Sequence, residues 1–204
     1  AHFLEHMCFN GTEHFPGNSL IKYCESIGVK FGENLNAYTS IDETVYNIDN
    51  VPVGKVPSAI DSCLWILHDW ADGLLLTDED MEVVDNFEYD LLRSYYEKWY
   101  RPDLQAIIVV GDIDVNEVEG KIRDIFGTIA TPVDPAERVY FGVPDNEEPI
   151  ICLATDKEQS YALSYLYCKH EPYPVEMRTD MNYLVYEFAI SAATIMINDR
   201  IQEM

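Results

Sequence analysis

Positive charge is scarce in this sequence of 204 residues. Lys and Arg together number 13, against 37 Asp and Glu, which gives a formal net charge of −24 at pH 7. This imbalance argues strongly against binding to nucleic acid or to an anionic membrane surface, since both are themselves negative. The excess of carboxylates either keeps the surface soluble or favours basic peptides in a cleft, and composition does not choose between the two.

Long apolar runs and paired cysteines are missing as well. No stretch approaches the roughly 20 apolar residues that a membrane-spanning helix requires, and the most apolar window, 189–197, contains Ser191 and Thr194. The five cysteines form no C-x-x-C pair, so we predict free thiols that are mostly buried. Free thiols fit a reducing compartment without excluding a periplasm. The first residues show no signal-peptide pattern, so the sequence assigns no compartment.

The most informative stretch of the sequence is His2-Phe3-Leu4-Glu5-His6. On an α-helix, positions i and i+4 lie on one face, so the imidazoles of His2 and His6 can reach the same ion. Neutral imidazoles suit Zn²⁺, and the nearby carboxylate of Glu5 can accept a proton from a water molecule. The order H-x-x-E-H is the inverted zincin motif, although so short a pattern also occurs by chance.

Further motifs follow in a fixed order and make the pattern more specific. They are Asn10-Gly11-Thr12 with Phe15-Pro16-Gly17-Asn18, then Asn36-Ala37-Tyr38-Thr39, then Tyr95-Tyr96-Glu97-Lys98-Trp99-Tyr100-Arg101-Pro102, and finally Ile107-Ile108-Val109-Val110-Gly111-Asp112. Together with H-x-x-E-H they resemble the pitrilysin (M16) family of zinc metallopeptidases, and in particular its long bacterial members. The resemblance covers essentially the whole chain.

The resemblance implies a zinc-dependent endopeptidase that hydrolyses peptides. His2 and His6 would bind Zn²⁺, Glu5 would be the general base, and Asn36-Ala37-Tyr38-Thr39 would form a strand beside the ion. In the family, the open edge of that strand accepts a substrate peptide through backbone hydrogen bonds. An ordinary edge strand or hairpin strand would show the same sequence, so this point stays open. The implied partners are a peptide substrate and a second M16-like half, in the same chain or in another.

One part of the family pattern is missing. In relatives, a downstream helix supplies a glutamate as the third zinc ligand, whereas here Glu82 runs directly into Val83 and a stretch that resembles a later part of the domain. We therefore expect either a true deletion or, as the favoured alternative, a physical chain break at this junction. Glu82 aligns with the start of the ligand helix and is a weak candidate for the third ligand. Two histidines alone would hold zinc poorly, because catalytic sites use three protein ligands.

Two hypotheses for the function stay open. The first is a zinc endopeptidase that is inactive as this isolated chain, and the alternative is a non-catalytic homologue that serves as a binding or assembly subunit. The intact His2, Glu5 and His6 favour the first, and the missing ligand helix favours the second. His14, in a loop, is interpreted as a solvated residue, and His68, on a helix, as a packed or surface residue. The bacterial periplasm and cytoplasm both stay open as compartments.

Hydrophobic periodicity predicts an α+β fold with helices on one face of a mainly antiparallel sheet. We predict helices at 2–9, 19–27, 56–71, 87–100, 116–126 and 180–203, and strands at 31–40, 43–48, 106–110, 150–154 and 163–167. The strand at 106–110 is predicted to be buried, because its apolar run is continuous. The predicted domains are an M16-like domain at 1–127, a linker with four prolines and one glycine at 128–149, and the beginning of a second similar domain at 150–204.

Overall fold

The computed structural model describes residues 1–77, 89–158, 161–162, 164–169 and 173–203. Along the chain it contains α1 (His2–Met7), α2 (Ser19–Ser26), β1 (Leu35–Thr39), β2 (Thr44–Ile48), α3 (Ala59–Asp72), α4 (Tyr89–Trp99), α5 (Val115–Phe126) and α6 (Met181–Gln202), with 3₁₀ turns at Pro102–Leu104 and Val175–Met177. The predicted α+β class is confirmed, since helices accompany a small antiparallel sheet. No helix among these residues is long and apolar enough to cross a membrane.

Glycines shape the connections around the first two helices. α2 is followed by Gly28, whose φ of 92° lies in the left-handed region that glycine adopts without strain. Gly11 is needed for a different reason, because a Cβ at this position would lie 2.9 Å from the backbone nitrogen of Gly17. The loop after α1 therefore folds tightly back on itself before α2 begins.

β1 and β2 form an antiparallel hairpin in which Leu35 lies opposite Ile48 and Thr39 lies opposite Thr44. Burial alternates along β1, so its odd-numbered residues face the protein and its even-numbered residues face solvent. β1 packs against α1. The hairpin thus presents Thr39, the last residue of β1, on the side of the strand that faces this helix.

Helix α3 carries the main hydrophobic core. Its Trp70 is only 2% exposed, and the indole Nε1 donates a 2.8 Å hydrogen bond to the carbonyl oxygen of Cys8, directly after α1. The buried residues of this core are Cys8, Leu20, Cys24, Val29, Leu35, Ile66 and Trp70. A second cluster joins α1 to α4 and comprises Leu4, Met7, Leu76 and Leu92. Helix α1 is therefore held through both its carbonyl end and its apolar side.

Three predicted strands are not observed, which corrects the sequence interpretation. The segments 106–110 and 150–154, and the described part of the third at 164–167, contain no strand. In the first segment Ile108 and Val110 are 82% and 90% exposed, so the predicted burial is wrong as well. An apolar run indicates a preference for a sheet interior, but a strand forms only where a neighbouring strand supplies hydrogen-bond partners. None of the described residues supplies them here.

Residues 1–140 and 141–204 form two separate compact units. The longest element of the second unit is α6, whose N-terminal end is capped by Asp180 through a 2.9 Å hydrogen bond from the backbone nitrogen of Asn182. The ring of Tyr173 lies 5.3 Å from that of Tyr183. The division at 127 and 150 that the sequence indicates stays a prediction, and the Glu82–Val83 junction lies outside the described residues.

The burial of the cysteines leads to a test of this fold. Cys8, Cys24 and Cys63 are buried, and desolvation raises the pKa of Cys8 and Cys63 to about 12 and that of Cys24 to about 11. A neutral, inaccessible thiol reacts slowly, because the thiolate is the nucleophile. Cys152 and Cys168 are exposed. At pH 8 we expect a thiol-specific reagent such as DTNB to modify two thiols rapidly in the native protein.

The matched control is the same titration in denaturant, where all five cysteines should react. Mass spectrometry of the modified peptides identifies which residues reacted first. Rapid native-state modification of Cys8 would contradict the packing of α1 against α3 described above.

Candidate active site

The two histidines of α1 lie side by side on one face of the helix. Their ring centroids are 4.9 Å apart with an interplanar angle of 35°, and both residues are exposed. This proximity follows from the spacing of one helical turn between them. Two accessible imidazoles on one face are a donor set that fits an ion of the Zn²⁺ class. Their role as metal ligands stays a prediction.

Glu5 lies on the same short helix but is buried, with 6% of its surface exposed. The hydroxyl of Thr39 donates a 2.5 Å hydrogen bond to Glu5 Oε2, and Thr44 Oγ1 lies 3.2 Å from Thr39 Oγ1. Burying a carboxylate is costly unless it is hydrogen-bonded, and hydrogen bonds to a charged acceptor are among the strong ones. The contact therefore fixes the predicted general base of α1 against the end of β1.

The hydrogen bonds around the hairpin show which edge of β1 is open. At one end, the backbone nitrogen of Asp49 donates to the carbonyl oxygen of Asn34 at 2.7 Å, so in this register the even-numbered residues of β1 exchange hydrogen bonds with β2. The N–H and C=O groups of the odd-numbered residues then point away from β2. The backbone nitrogen of Ala37 accordingly donates to Oδ1 of Asn36 at 2.9 Å. Within the described residues, an isolated bridge between Phe31 and Leu35 occupies the start of this edge, and no strand pairs with it at Ala37 and Thr39.

A chain of hydrogen-bonded polar side chains begins at Cys8, directly after α1. The thiol of Cys8 donates to the hydroxyl of Tyr46 at 3.2 Å, and that hydroxyl lies 2.6 Å from the hydroxyl of Tyr100. Desolvation raises the pKa of the Cys8 thiol to about 12 and also raises the pKa of both tyrosine hydroxyls above its usual value. These groups therefore stay protonated at neutral pH and act as hydrogen-bonded packing.

A second group of potential ligands lies where the sequence did not indicate one. Within the described residues, ligand atoms of His14, His68 and Asp69 all lie within 4.8 Å of one another. His68 is buried, as one of the two sequence interpretations has it, and His14 is exposed, as expected of a solvated residue, but it also contacts Asp69. Its Nδ1 lies 2.7 Å from Asp69 Oδ1, and its backbone nitrogen donates to Asp69 Oδ2 at 2.8 Å. Tertiary folding creates these contacts, and the sequence shows only the adjacency of His68 and Asp69.

Within the described part of the chain, no third His, Cys, Asp or Glu completes a metal-binding group with His2 and His6. Glu82, the weak sequence candidate, lies outside this part. The site that the structure describes thus consists of His2 and His6 as exposed candidate ligands, with the buried Glu5 one turn away and the open edge of β1 beside it.

This chain belongs to the insulinase family of peptidases, peptidase family M16. The family profile described as Insulinase (Peptidase family M16) matches residues 1–109, which include α1 and the hairpin. A second profile, described as Peptidase M16 inactive domain, matches residues 86–175. The pitrilysin-type resemblance that the sequence motifs indicate is thereby confirmed.

Two curated relatives are named Probable zinc protease PqqL. The one from Escherichia coli (strain K12) is 27% identical over 247 aligned positions, which cover 100% of this chain and 26% of the relative. The one from Haemophilus influenzae is 26% identical over 192 positions, covering 71% of this chain and 20% of the relative. The chain thus spans about a quarter or less of the length of these relatives.

Solved structures give the same result for the fold. The crystal structure of the periplasmic protease PqqL from E. coli matches with a TM-score of 0.60 and 28% identity, over 68% of this chain and 20% of that one. The structure of the first half of the same protease matches with a TM-score of 0.57 and 28% identity, over 68% of this chain and 39% of that one. Helices with a small antiparallel sheet are thus the architecture of an M16 peptidase.

The contact between Thr39 and Glu5 can be tested by removing the hydroxyl while keeping the side-chain shape. We expect Thr39→Val to lower the free energy of unfolding by about 1.5–3 kcal/mol, because a buried carboxylate loses its hydrogen-bond donor. Thr39→Ser keeps a hydroxyl and should cost less. Urea denaturation of both variants measures the difference.

A double-mutant cycle shows whether the cost belongs to this contact. In a Glu5→Ala background, the carboxylate is gone, so Thr39→Val should be close to neutral. An equal loss of stability in both backgrounds would contradict the coupling of Thr39 to Glu5.

Proposed function

We propose that this chain is part of a zinc-dependent endopeptidase of the inverted H-x-x-E-H type. The observation that carries the proposal is the 2.5 Å hydrogen bond from Thr39 Oγ1 to Glu5 Oε2, because it holds a carboxylate next to both a pair of histidines and an open strand edge. The name of the two PqqL relatives, Probable zinc protease, supports the metal and the reaction class.

His2 and His6 would hold the ion, and Glu5 would move the proton. When bound, Zn²⁺ polarises the scissile carbonyl and makes a water molecule more acidic. Glu5 accepts a proton from the attacking water and can deliver it to the leaving amine, as a general base and then a general acid. The hydroxyl of Thr39 fixes the orientation of the carboxylate during this exchange.

The open edge of β1 is the proposed substrate site. An extended peptide would pair with the outward N–H and C=O groups of Ala37 and Thr39, which requires the side chain of Asn36 to release the nitrogen of Ala37. Asn36-Ala37-Tyr38-Thr39 would thus bind substrate through its backbone, with little dependence on substrate side chains. The net charge of −24 would favour basic peptides.

The complete enzyme is proposed to need a second M16-like half, in the same chain or in another. One of the matching structures is described as the first half of PqqL, and this chain covers 39% of it. The alignment with PqqL from E. coli covers 247 positions and is longer than this chain of 204 residues, so it contains gaps in this chain, and we propose that one of them follows Glu82. We therefore expect this chain alone to lack useful turnover.

The same relative supports a compartment. PqqL from E. coli is described as a periplasmic protease. We propose the periplasm for this protein too, in preference to the cytoplasm. Its five free cysteines do not oppose this assignment, because three are buried and the two exposed ones lie in the second unit.

A second candidate function rests on the other family profile. The match of residues 86–175 to the Peptidase M16 inactive domain favours a binding or assembly role for that part of the chain. The two functions are compatible, since the candidate chemistry lies in residues 2–39. The intact His2, Glu5 and His6 favour a catalytic role for the first unit.

Catalysis is tested by combining this chain with the remaining part of E. coli PqqL and following a fluorogenic peptide in the presence of Zn²⁺. We expect no turnover from the chain alone and measurable turnover from the combination. Glu5→Gln should reduce that turnover by about 100-fold or more, since general-base catalysis contributes this much.

Zinc content separates a failed reconstitution from a wrong assignment. His2→Ala combined with His6→Ala should lower the bound zinc by about one equivalent, whereas Glu5→Gln should leave the zinc content nearly unchanged. Turnover that survives Glu5→Gln, or a zinc stoichiometry that does not change when both histidines are lost, would refute the proposed roles.

The substrate edge is tested with Ala37→Pro. Proline removes one outward N–H without touching the pairing with β2, so the binding of a labelled, extended basic peptide should weaken while the hairpin persists. Fluorescence anisotropy measures binding, and circular dichroism monitors the fold. The matched control is Asn36→Pro, which removes an N–H directed at β2 and should destabilise the hairpin. Unchanged peptide affinity in Ala37→Pro would rule out this edge.

A further inference from the structure

We propose that His14, His68 and Asp69 form a second divalent metal site, separate from the pair of histidines on α1 and selective for an ion of the Zn²⁺ class. His68 and Asp69 lie in the last part of α3, and His14 lies in the loop after α1. The three ligand atoms lie within 4.8 Å of one another, and no other group of three such residues is found within the described residues.

The carboxylate of Asp69 is fully buried, and its two oxygens have different neighbours. Oδ2 accepts a hydrogen bond from the hydroxyl of Thr12 at 2.6 Å and another from the backbone nitrogen of His14 at 2.8 Å. Oδ1 faces two imidazole nitrogens, with His14 Nδ1 at 2.7 Å and His68 Nδ1 at 3.5 Å. One oxygen is thus held by donors of the protein, and the other lies between two potential metal ligands.

The ring of His68 is held between Thr128 and Asp69. The hydroxyl of Thr128, which donates to the carbonyl oxygen of Ile125 at 2.7 Å, lies 3.4 Å from His68 Nε2. On the other side of the ring, Nδ1 lies 3.5 Å from Asp69 Oδ1, and the side chain is only 9% exposed. A cation between Nδ1 and Oδ1 would therefore reach both atoms without a large movement of His68.

Distances and donor types agree with a transition metal. Bonds of about 2.0–2.1 Å from zinc to nitrogen or carboxylate oxygen place tetrahedral ligands about 3.3 Å apart. The distance from Asp69 Oδ1 to His68 Nδ1 is already 3.5 Å, and the side chain of His14, 43% exposed, has room to adjust. Two imidazoles and one carboxylate suit Zn²⁺, Co²⁺ or Ni²⁺ better than Mg²⁺ or Ca²⁺. The exposed side of His14 gives ion and water a way in.

Binding here would fasten the loop after α1 to helix α3. Without metal, the loop is held at this point by the hydrogen bonds of Thr12 and His14 to Asp69. With metal, two stronger bonds would be added on Oδ1 and His68, and the folded state would be stabilised in proportion to ion concentration. The proposed role is therefore structural.

The test uses the full chain carrying His2→Ala and His6→Ala, so that the site on α1 no longer competes. Co²⁺ titration, followed by d–d absorption, should show one equivalent bound, and Zn²⁺ should displace it. The melting temperature should rise with Zn²⁺ concentration and fall back when EDTA is added. Adding His14→Ala should abolish the absorption band and the thermal shift.

Two further variants separate metal binding from simple packing. Thr12→Val removes a donor to Asp69 Oδ2 but no ligand, so we expect metal affinity to fall about 10–100-fold. His68→Gln removes the buried ligand and should eliminate binding. No Co²⁺ band in the His2→Ala, His6→Ala background, or a band and thermal shift that persist in His14→Ala, would overturn the proposal and leave the cluster as a hydrogen-bonded clamp.

Discussion

The candidate chemistry depends on a six-residue helix that is too short to be stable by itself. Isolated helices below about 12 residues are marginal in water, because nucleation costs more than so few hydrogen bonds return. In this protein α1 exists because other elements hold it. The indole of Trp70 donates to the carbonyl oxygen of Cys8, and Leu4 and Met7 are buried against Leu76 and Leu92. The i, i+4 spacing brings the two histidine rings together only when α1 is helical, and these tertiary contacts keep it helical.

The same packing divides the helix between two environments. The histidines face solvent, where a metal ion can approach, while Glu5 is turned toward the protein and depends on the hydroxyl of Thr39. Thr39 can serve only if the hairpin keeps its register, because a slip of one residue would turn this hydroxyl to the opposite face of β1. The pairing of Thr39 with Thr44 is therefore part of the site, although neither residue is a candidate ligand. The register of the β1–β2 hairpin therefore also determines how the carboxylate of Glu5 is oriented.

Sequence reasoning succeeded where the determining interactions are local. The spacing in H-x-x-E-H, the helices and the hairpin follow from periodicity and turn residues within short windows. It failed for the segment at 106–110, because an apolar run shows which environment a strand prefers and not whether a partner strand is present. It also missed the contact between His14 and Asp69, which lie 55 positions apart in the sequence. No local pattern encodes such a contact, and a half-exposed loop histidine looks in sequence like any polar residue.

One pair of neighbouring residues in α3 holds both ends of the connection that follows α1. Trp70 binds the carbonyl oxygen of Cys8, and Asp69 binds Thr12 and His14 a few residues later. The backbone also closes this region, since Glu13 donates to Gly73 at 2.8 Å. The position of α1 and the geometry around Asp69 therefore depend on the same turn of one helix. A cation at Asp69 would stiffen the connection after α1, which begins at Cys8, the residue that Trp70 holds in place. Binding at this cluster would therefore also restrict the movement of α1 and its two histidines, although the two clusters share no ligand.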